Sequence, residues 1–306
     1  MKKLITILAL FTCSVAIAQQ DALFSQYMFN KVVLNAGYTG SREVMSADLT
    51  DRYQWVGIEG APKTITFSMH SPLRNEHIGI GFYVYRDELG PTLDQGFLAS
   101  YAYRLILPKG KLSFGIQAGF KYFNIDWNKI DEEVRAADYM FQGTQQNKFT
   151  PDANFGIYYY TNRIFAGVSS KQLLQNEYGM VKVDGKSSYS KLLRHFYGMA
   201  GMAVPVSDEV LFRPSTLIKY VKNAPLQVDL NASFLIKELF WLGITYRTEN
   251  ALVFLTEFNL AKNLRLGYSY DVYLNQLVHY NKGSHEIRLG FDLDLFRNRM
   301  LTPRYF

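Results

Sequence analysis

The chain has almost no cysteine and no long apolar run, and both absences limit the classes of protein to which it can belong. Its only cysteine, Cys13, lies within the first eighteen residues, so the rest of the chain has no disulfide and no thiol chemistry. No apolar stretch beyond them reaches the roughly twenty residues that a transmembrane helix needs. The formal charge of +6 is a mild excess that does not indicate a nucleic-acid partner. Helical membrane proteins and thiol enzymes are therefore poor candidates.

The first eighteen residues have the form of a secretory signal peptide. Two lysines precede a mostly apolar run that extends to Ile17, and residues 16–18 form a small-x-small cleavage site. We predict cleavage before Gln19. In the alternative, a lipoprotein acylated at Cys13, the three preceding residues match a lipobox poorly. The mature chain is thus expected to be exported.

From about residue 44 onward, apolar and polar residues alternate in segments of about ten residues. Successive side chains of a strand point to opposite faces, so this pattern predicts strands with one apolar face. The last segment shows it best, with Ile287, Leu289, Phe291, Leu293 and Leu295 on one face and Glu286, Arg288, Gly290, Asp292 and Asp294 on the other. Such a sheet either packs against a second sheet in a soluble sandwich or forms a barrel in lipid.

The connections between strands favour the barrel. We count about fourteen strands, with cores near 44–55, 63–71, 77–86, 94–107, 111–125, 152–160, 163–170, 195–205, 209–220, 225–236, 239–248, 251–260, 263–272 and 284–296. Taken alternately, one set of connections is short, whereas the other contains the long segments 126–151, 171–194 and 273–283. Outer-membrane barrels sort their loops in this way, with short turns in the periplasm.

The sequence therefore predicts an all-β transmembrane antiparallel barrel of about fourteen strands in the outer membrane, with both termini in the periplasm. We expect a signal peptide over residues 1–18, an N-terminal periplasmic or lumen segment over 19–42 and the barrel over 43–306. Aromatic residues make up 15% of the chain, as the girdles of such a barrel require.

The charges assigned to the lumen face mix both signs rather than forming a ring of one sign. This pattern indicates a filled, ion-paired interior more than a selective pore. The residues are Lys121, Asp229, Arg247, Glu257, Arg265, Asp271, Arg288, Asp292 and Asp294.

No constellation of residues indicates catalysis, a metal or a cofactor. The five histidines include no H-E-x-x-H pair, and His70 and Ser71 are adjacent on a strand, so their side chains point to opposite faces. Gly79-Ile80-Gly81 resembles the start of a phosphate loop, but no helix follows it. Small residues on one strand face are better explained by a crowded lumen or by close packing of strands. We expect no enzyme activity, cofactor or metal site.

Several blocks of the mature chain together resemble the PorP/SprF family of outer-membrane proteins of the type IX secretion system. The resemblance covers essentially the whole mature chain, although Lys31 stands where the family often has proline and Ala36-Gly37 replaces a Pro-Ala pair. The blocks are Asp21-Ala22-Leu23-Phe24-Ser25-Gln26-Tyr27-Met28-Phe29-Asn30, Asn35-Ala36-Gly37-Tyr38-Thr39-Gly40-Ser41, Gln54-Trp55-Val56-Gly57, His70-Ser71-Pro72-Leu73 and Pro303-Arg304-Tyr305-Phe306.

This resemblance implies a non-enzymatic component that supports the secretion or surface anchoring of adhesins, including those of gliding motility. The implied partners are other type IX proteins of the periplasmic ring or translocon, a secreted surface adhesin, and outer-membrane lipid, but no nucleic acid. The alternative function is a passive outer-membrane channel for small solutes.

Two regions are candidates for partner binding. The long loops carry Tyr139, Phe141, Leu173, Leu174 and Tyr178, and exposed apolar clusters suggest partners, although loops folded over their own barrel mouth would look alike. Residues 54–64 are expected to form the first extracellular loop, with Gly57, Gly60 and Pro62 shaping a tight turn and Gln54 and Trp55 available to a partner. Trp55 is expected at the outer lipid boundary. The alternative is a hairpin motif needed only for folding.

Overall fold

The computed structural model describes residues 21–130, 146–183, 186–248 and 251–295. The predicted signal peptide, Tyr139, Phe141 and residues 296–306 lie outside the described residues. None of the helices within the described ranges has the length and hydropathy to cross a membrane.

Fourteen antiparallel strands form one closed barrel. The strands are β1 Met45–Tyr53, β2 Lys63–Pro72, β3 Ile78–Leu89, β4 Thr92–Leu107, β5 Gly110–Ile125, β6 Gln146–Tyr160, β7 Ile164–Lys171, β8 His195–Met202, β9 Val210–Val221, β10 Gln227–Ile236, β11 Phe240–Arg247, β12 Ala251–Ala261, β13 Leu264–Tyr273 and β14 Ser284–Leu293. Each strand pairs with its neighbours in sequence, and a short stretch, Val204–Pro205, continues β8 along β9.

The barrel closes where the first strand meets the last. Met45 lies opposite Leu293 and Tyr53 lies opposite His285 in a continuous antiparallel register. Closure leaves neither the first nor the last strand with an open edge, which is what a β-structure needs in lipid. The predicted strand number and fold class are confirmed, and all fourteen predicted strands are present.

The two mouths of the barrel differ in their connections. At one end, which we call the short-turn mouth, the connections are 73–77, 108–109, 161–163, 206–209, 237–239 and 262–263. The opposite long-loop mouth carries 54–62, 126–145, 172–194 and 274–283, but also the short connections 90–91, 222–226 and 248–250. The loop from 172 to 194 contains a two-stranded hairpin, Glu177–Val183 with Lys186–Lys191. Loop length is therefore uniform at one mouth only.

The sequence alternation matches the two faces of the barrel wall. In β5, Phe114, Ile116 and Phe120 are exposed on the outer face, while Gln117 and Lys121 are buried on the lumen face. The wall thus presents apolar side chains outward, as lipid requires.

The last strand shows the same pattern, with one correction at its end. Ile287 and Leu289 are exposed outside, while Glu286 and Arg288 are buried in the lumen. Asp294, which we predicted on the lumen face, is exposed beyond the end of β14. The alternation holds only as far as the strand is paired.

The lumen is not uniformly polar, because one sector of its wall is apolar. This sector packs against a segment that precedes β1, so the main apolar core of the protein lies inside the barrel. The buried wall residues of the core include Tyr83, Leu98, Tyr158, Phe165, Tyr197, Met199, Leu217, Trp241 and Leu255.

Candidate functional site

The lumen contains residues 21–44, which we call the lumen segment. Asp21 bonds to Lys171, the last residue of β7, at the long-loop mouth. Arg42 bonds to Asp292, near the end of β14, at the short-turn mouth. The segment therefore runs the length of the barrel before β1 begins at Met45.

This path bears on the predicted topology. The described chain starts at the long-loop mouth, whereas β14 ends at the short-turn mouth, so its two ends lie at opposite ends of the barrel. The termini themselves lie outside the described residues, and their placement in the periplasm stays a prediction.

A buried ionic cluster, which we call the long-loop latch, holds the start of the segment. The carboxylate of Glu286 accepts the backbone N–H groups of Ser25 and Gln26, each at 2.8 Å. Arg52 donates to Glu286 at 3.2 Å and to Asp271 at 2.7 Å, and the Ser25 hydroxyl donates to Asp271 at 2.7 Å. Hydrogen bonds that involve ionised groups are stronger than neutral ones. The latch therefore fixes Ser25 and Gln26 against three strands.

In the middle, wall side chains bond the segment's backbone. Two short 3-10 helices, Lys31–Val33 and Ala36–Tyr38, leave carbonyl groups without partners of their own. Gln117 donates to the Val32 carbonyl at 2.9 Å and Ser169 to the Leu34 carbonyl at 2.6 Å. A buried carbonyl without a bond is costly, so these wall residues make the non-strand conformation tolerable.

Glycines on the lumen face make room for the segment. A Cβ at Gly156 would lie 2.1 Å from the Asn35 Oδ1 atom, and one at Gly115 would lie 2.2 Å from the Ala36 carbonyl carbon. A Cβ at Gly79 would lie 2.2 Å from the Thr39 carbonyl oxygen. The crowded-lumen interpretation of Gly79 is thus confirmed.

The end of the segment is fixed at the short-turn mouth. The Gly40 N–H donates to Nδ1 of His70 at 3.0 Å, so this nitrogen is the unprotonated one in that bond. Arg104 donates to the Gly40 carbonyl. Arg42 pairs with Asp292 at 3.0 Å. Both ends of the segment are therefore tied to the wall by charged side chains.

Aromatic and cationic side chains pack together beside the segment. The Arg213 guanidinium lies 3.9 Å from the centroid of the Trp241 ring and 4.8 Å from that of Phe29. Both rings are buried, and their centroids are 6.0 Å apart. A guanidinium over an aromatic face is attracted to its quadrupole, so Arg213 links the wall to Phe29.

The charges that were predicted for the lumen and that lie in it are ion-paired. Arg247 bonds Asp229 at 2.9 Å, Arg265 bonds Asp292 at 3.0 Å, and Arg288 bonds both Asp48 and Glu257. Lys121 lies 3.6 Å from Asp152.

These side chains leave almost no room for water at mid-barrel. Arg288, Ser269 and Val32 are each 0% exposed. At this level the described side chains of the wall and of the lumen segment fill the lumen.

The predicted first extracellular loop lies at the long-loop mouth, and strand β2 already begins at Lys63. Gly57 and Gly60 have positive φ angles of 102° and 70°, which fits the predicted tight turn. The Gln54 N–H donates to the Pro62 carbonyl at 2.9 Å, and the Gln54 side chain is buried, so it is not free for a partner.

Trp55 is not at the outer lipid boundary as predicted. Its ring packs edge-on against Tyr273, with centroids 6.4 Å apart, and its backbone N–H donates to the buried Ser284 hydroxyl at 3.0 Å. The φ angle of Trp55 is positive, at 50°. This turn in the backbone breaks the strand alternation that the prediction extended to Trp55.

The remaining partner-binding candidates are only partly described. Leu174 is exposed and Leu173 is half-buried at the start of the loop that follows β7. Tyr178 lies in the hairpin of this loop, and the structure describes only its backbone. Partner binding by these residues stays a prediction.

Among the described residues, no group of three or more His, Cys, Asp or Glu side chains is placed to hold a metal ion.

The chain was compared with curated proteins and with solved structures. No curated protein matches the chain. Among solved structures, the CymD monoaromatic hydrocarbon channel is similar, with a TM-score of 0.50 and 13% identity over 91% of this chain and 95% of that one. Omp33 of Acinetobacter baumannii has a TM-score of 0.47 and 7% identity over 82% of this chain and 100% of its own. The likeness to CymD shows the outer-membrane barrel fold alone.

The family comparison is more specific. The family model described as type IX secretion system membrane protein PorP/SprF matches residues 16–291, which is most of the chain. This match includes the whole lumen segment and all but the last two residues of β14. The chain belongs to the PorP/SprF family of type IX secretion system membrane proteins.

Proposed function

We propose that the protein is a closed, non-enzymatic outer-membrane barrel that docks to other type IX secretion proteins and supports the secretion or surface anchoring of an adhesin. The observation that carries this proposal is the filled lumen. A barrel occupied by its own lumen segment can bind a partner only at its mouths, its loops or its outer wall. Family membership supports an association with secretion components.

The same observation argues against the passive channel. The lumen segment is buried almost throughout and is tied to the wall at both mouths. A solute would have to displace an ionic cluster and an apolar core together.

In this proposal the short-turn mouth faces the periplasm and the long-loop mouth faces the cell surface, because short periplasmic turns are the rule in such barrels. Periplasmic secretion components then meet the short turns, and a surface adhesin meets the long loops. The loop 54–62 is hydrogen-bonded to two other connections at that mouth. The Gly90 N–H donates to the Gly60 carbonyl, and the Val56 N–H donates to the Gly283 carbonyl. These bonds favour a fixed surface on which a partner can dock.

Two measurements test the proposal. Co-purification from native outer membranes should recover a stoichiometric surface adhesin or periplasmic ring proteins with the barrel. Recovery of neither would contradict the docking role. The purified protein should show no steady conductance in a planar bilayer, whereas steady conductance without any partner would favour the channel.

A further inference from the structure

The start of the lumen segment lies in a basic pocket at the long-loop mouth. The Asp21 carboxylate accepts hydrogen bonds from Nζ of Lys171 and the hydroxyl of Tyr197, each at 2.8 Å. An ammonium and a phenol are both hydrogen-bond donors, and both favour the ionised form of the carboxylate. Asp21 is therefore an ionised carboxylate held by a cation and a phenol.

The pocket contains more positive charge than Asp21 alone can balance. Lys219 lies directly opposite Tyr197 in the strand register and is 6% exposed. Its buried Nζ atom has no hydrogen-bond partner within the described part of the chain. Of the other charged groups near it, Arg247 and Asp229 are bonded to each other at 2.9 Å. Lys219 is thus a buried ammonium with bonding capacity to spare.

The occupant of this pocket is replaceable, because it is close to the surface of the mouth. The Asp21 side chain is 11% exposed, and the two residues after it are only half-buried. The latch that fixes the segment begins four residues later, at Ser25. Asp21 can therefore leave the pocket while the latch keeps the rest of the lumen segment in place.

We propose that Lys171, Lys219 and Tyr197 form an anion-binding pocket that Asp21 fills at rest, and that an acidic side chain of a polypeptide partner takes its place. The inference rests on the proposed function in one respect, that a partner meets the long-loop mouth. The bonds to Asp21 show that the pocket accepts a carboxylate. A partner carboxylate would bond Lys219 in addition to Lys171, which charge-assisted hydrogen bonding favours.

The test uses the purified full-length protein in detergent and a fluorescent tetraglutamate peptide as the probe, with binding followed by anisotropy. Asp21→Asn removes the competing charge and should tighten binding of the peptide about tenfold. Adding Lys219→Met should reverse that gain. Lys222→Met is the matched control, because Lys222 is an exposed lysine at the same mouth and its removal should have little effect.

The outcomes separate the possible explanations. Unchanged affinity in Asp21→Asn, or equal losses in the two lysine variants, would overturn the pocket. If inorganic phosphate displaced the peptide at equal concentration, the pocket would bind small anions and the polypeptide partner would be refuted. Resistance to unfolding in detergent gels verifies that each variant is folded. Co-purification of a partner with a protein that binds no peptide would overturn this pocket but leave the docking function intact.

Discussion

The long-loop latch predicts how firmly the lumen segment is held. In Glu286→Gln, one carboxylate oxygen becomes an NH2 group that faces the N–H of Ser25 or Gln26, and the bond to Arg52 loses its charge partner. Removing one member of a buried, charged hydrogen-bond network costs about 3 kcal/mol. Because 1.4 kcal/mol is a factor of ten, the population with an open latch should rise about 100-fold.

Thiol labelling measures this population. Val33 is 1% exposed inside the lumen, and the only cysteine of the sequence lies in the predicted signal peptide. Val33→Cys therefore gives the mature chain a single thiol that reacts with maleimide only when the segment opens. We expect the labelling rate to rise about 100-fold when Glu286→Gln is added.

A matched substitution controls for the chemical change itself. Glu209→Gln alters an exposed glutamate whose ion pair with Lys237 is 3.6 Å long and lies on the surface. Exposed pairs contribute little, so the labelling rate should stay within about a factor of three. Equal rates in the Glu286 and Glu209 variants would refute the claim that the latch secures the lumen segment.

The remaining predictions concern the fit between segment and wall. Gly156→Ala should loosen the segment and increase labelling of Val33→Cys, because its Cβ would collide with Asn35. Gly198→Ala is the control and should leave labelling unchanged, because its Cβ would have no neighbour closer than 3.9 Å. Similar labelling in both variants would contradict the steric argument. Lys31→Met should raise the thermal midpoint, because the 1% exposed Lys31 amino group has no carboxylate partner among the described residues and its burial costs about 1–3 kcal/mol. A lower midpoint would show that its bond to the Met28 carbonyl and its contacts with the Phe165 and Tyr38 rings dominate. Deleting residues 21–41 should give a barrel with steady conductance in planar bilayers, while the intact protein stays silent; a silent deletion variant that is still folded would mean that other residues close the lumen.

The barrel wall could be predicted from the sequence because its signal is local. Alternation within each strand assigns an inside and an outside without knowledge of the neighbouring strands, and β5 and β14 follow it residue by residue. The prediction failed where the backbone leaves the strand. Trp55 turns inward at a positive φ, and Asp294 lies beyond the last paired residue.

The path of the lumen segment could not be predicted, because its contacts are far apart in sequence. Gln26 bonds Glu286, 260 residues away, and no periodicity in residues 21–41 identifies such partners. Two signals were nevertheless present. Residues 251–255 are apolar on both faces of β12, which indicates an apolar neighbour inside the lumen, and glycines occur at lumen-facing positions of β5 and β6.

The closure of β1 against β14 has a consequence for assembly. The lumen segment joins β1 at the short-turn mouth, yet its first described residue lies at the opposite mouth. Once the seam between Met45 and Leu293 has formed, the segment can enter only by passing along the whole lumen from the short-turn mouth. The simplest order of events is therefore that the wall closes around a segment already in place. A bulky folded tag directly before Asp21 would block threading, so closure of the seam in a protein with such a tag would support this order, and failure to place the segment would contradict it.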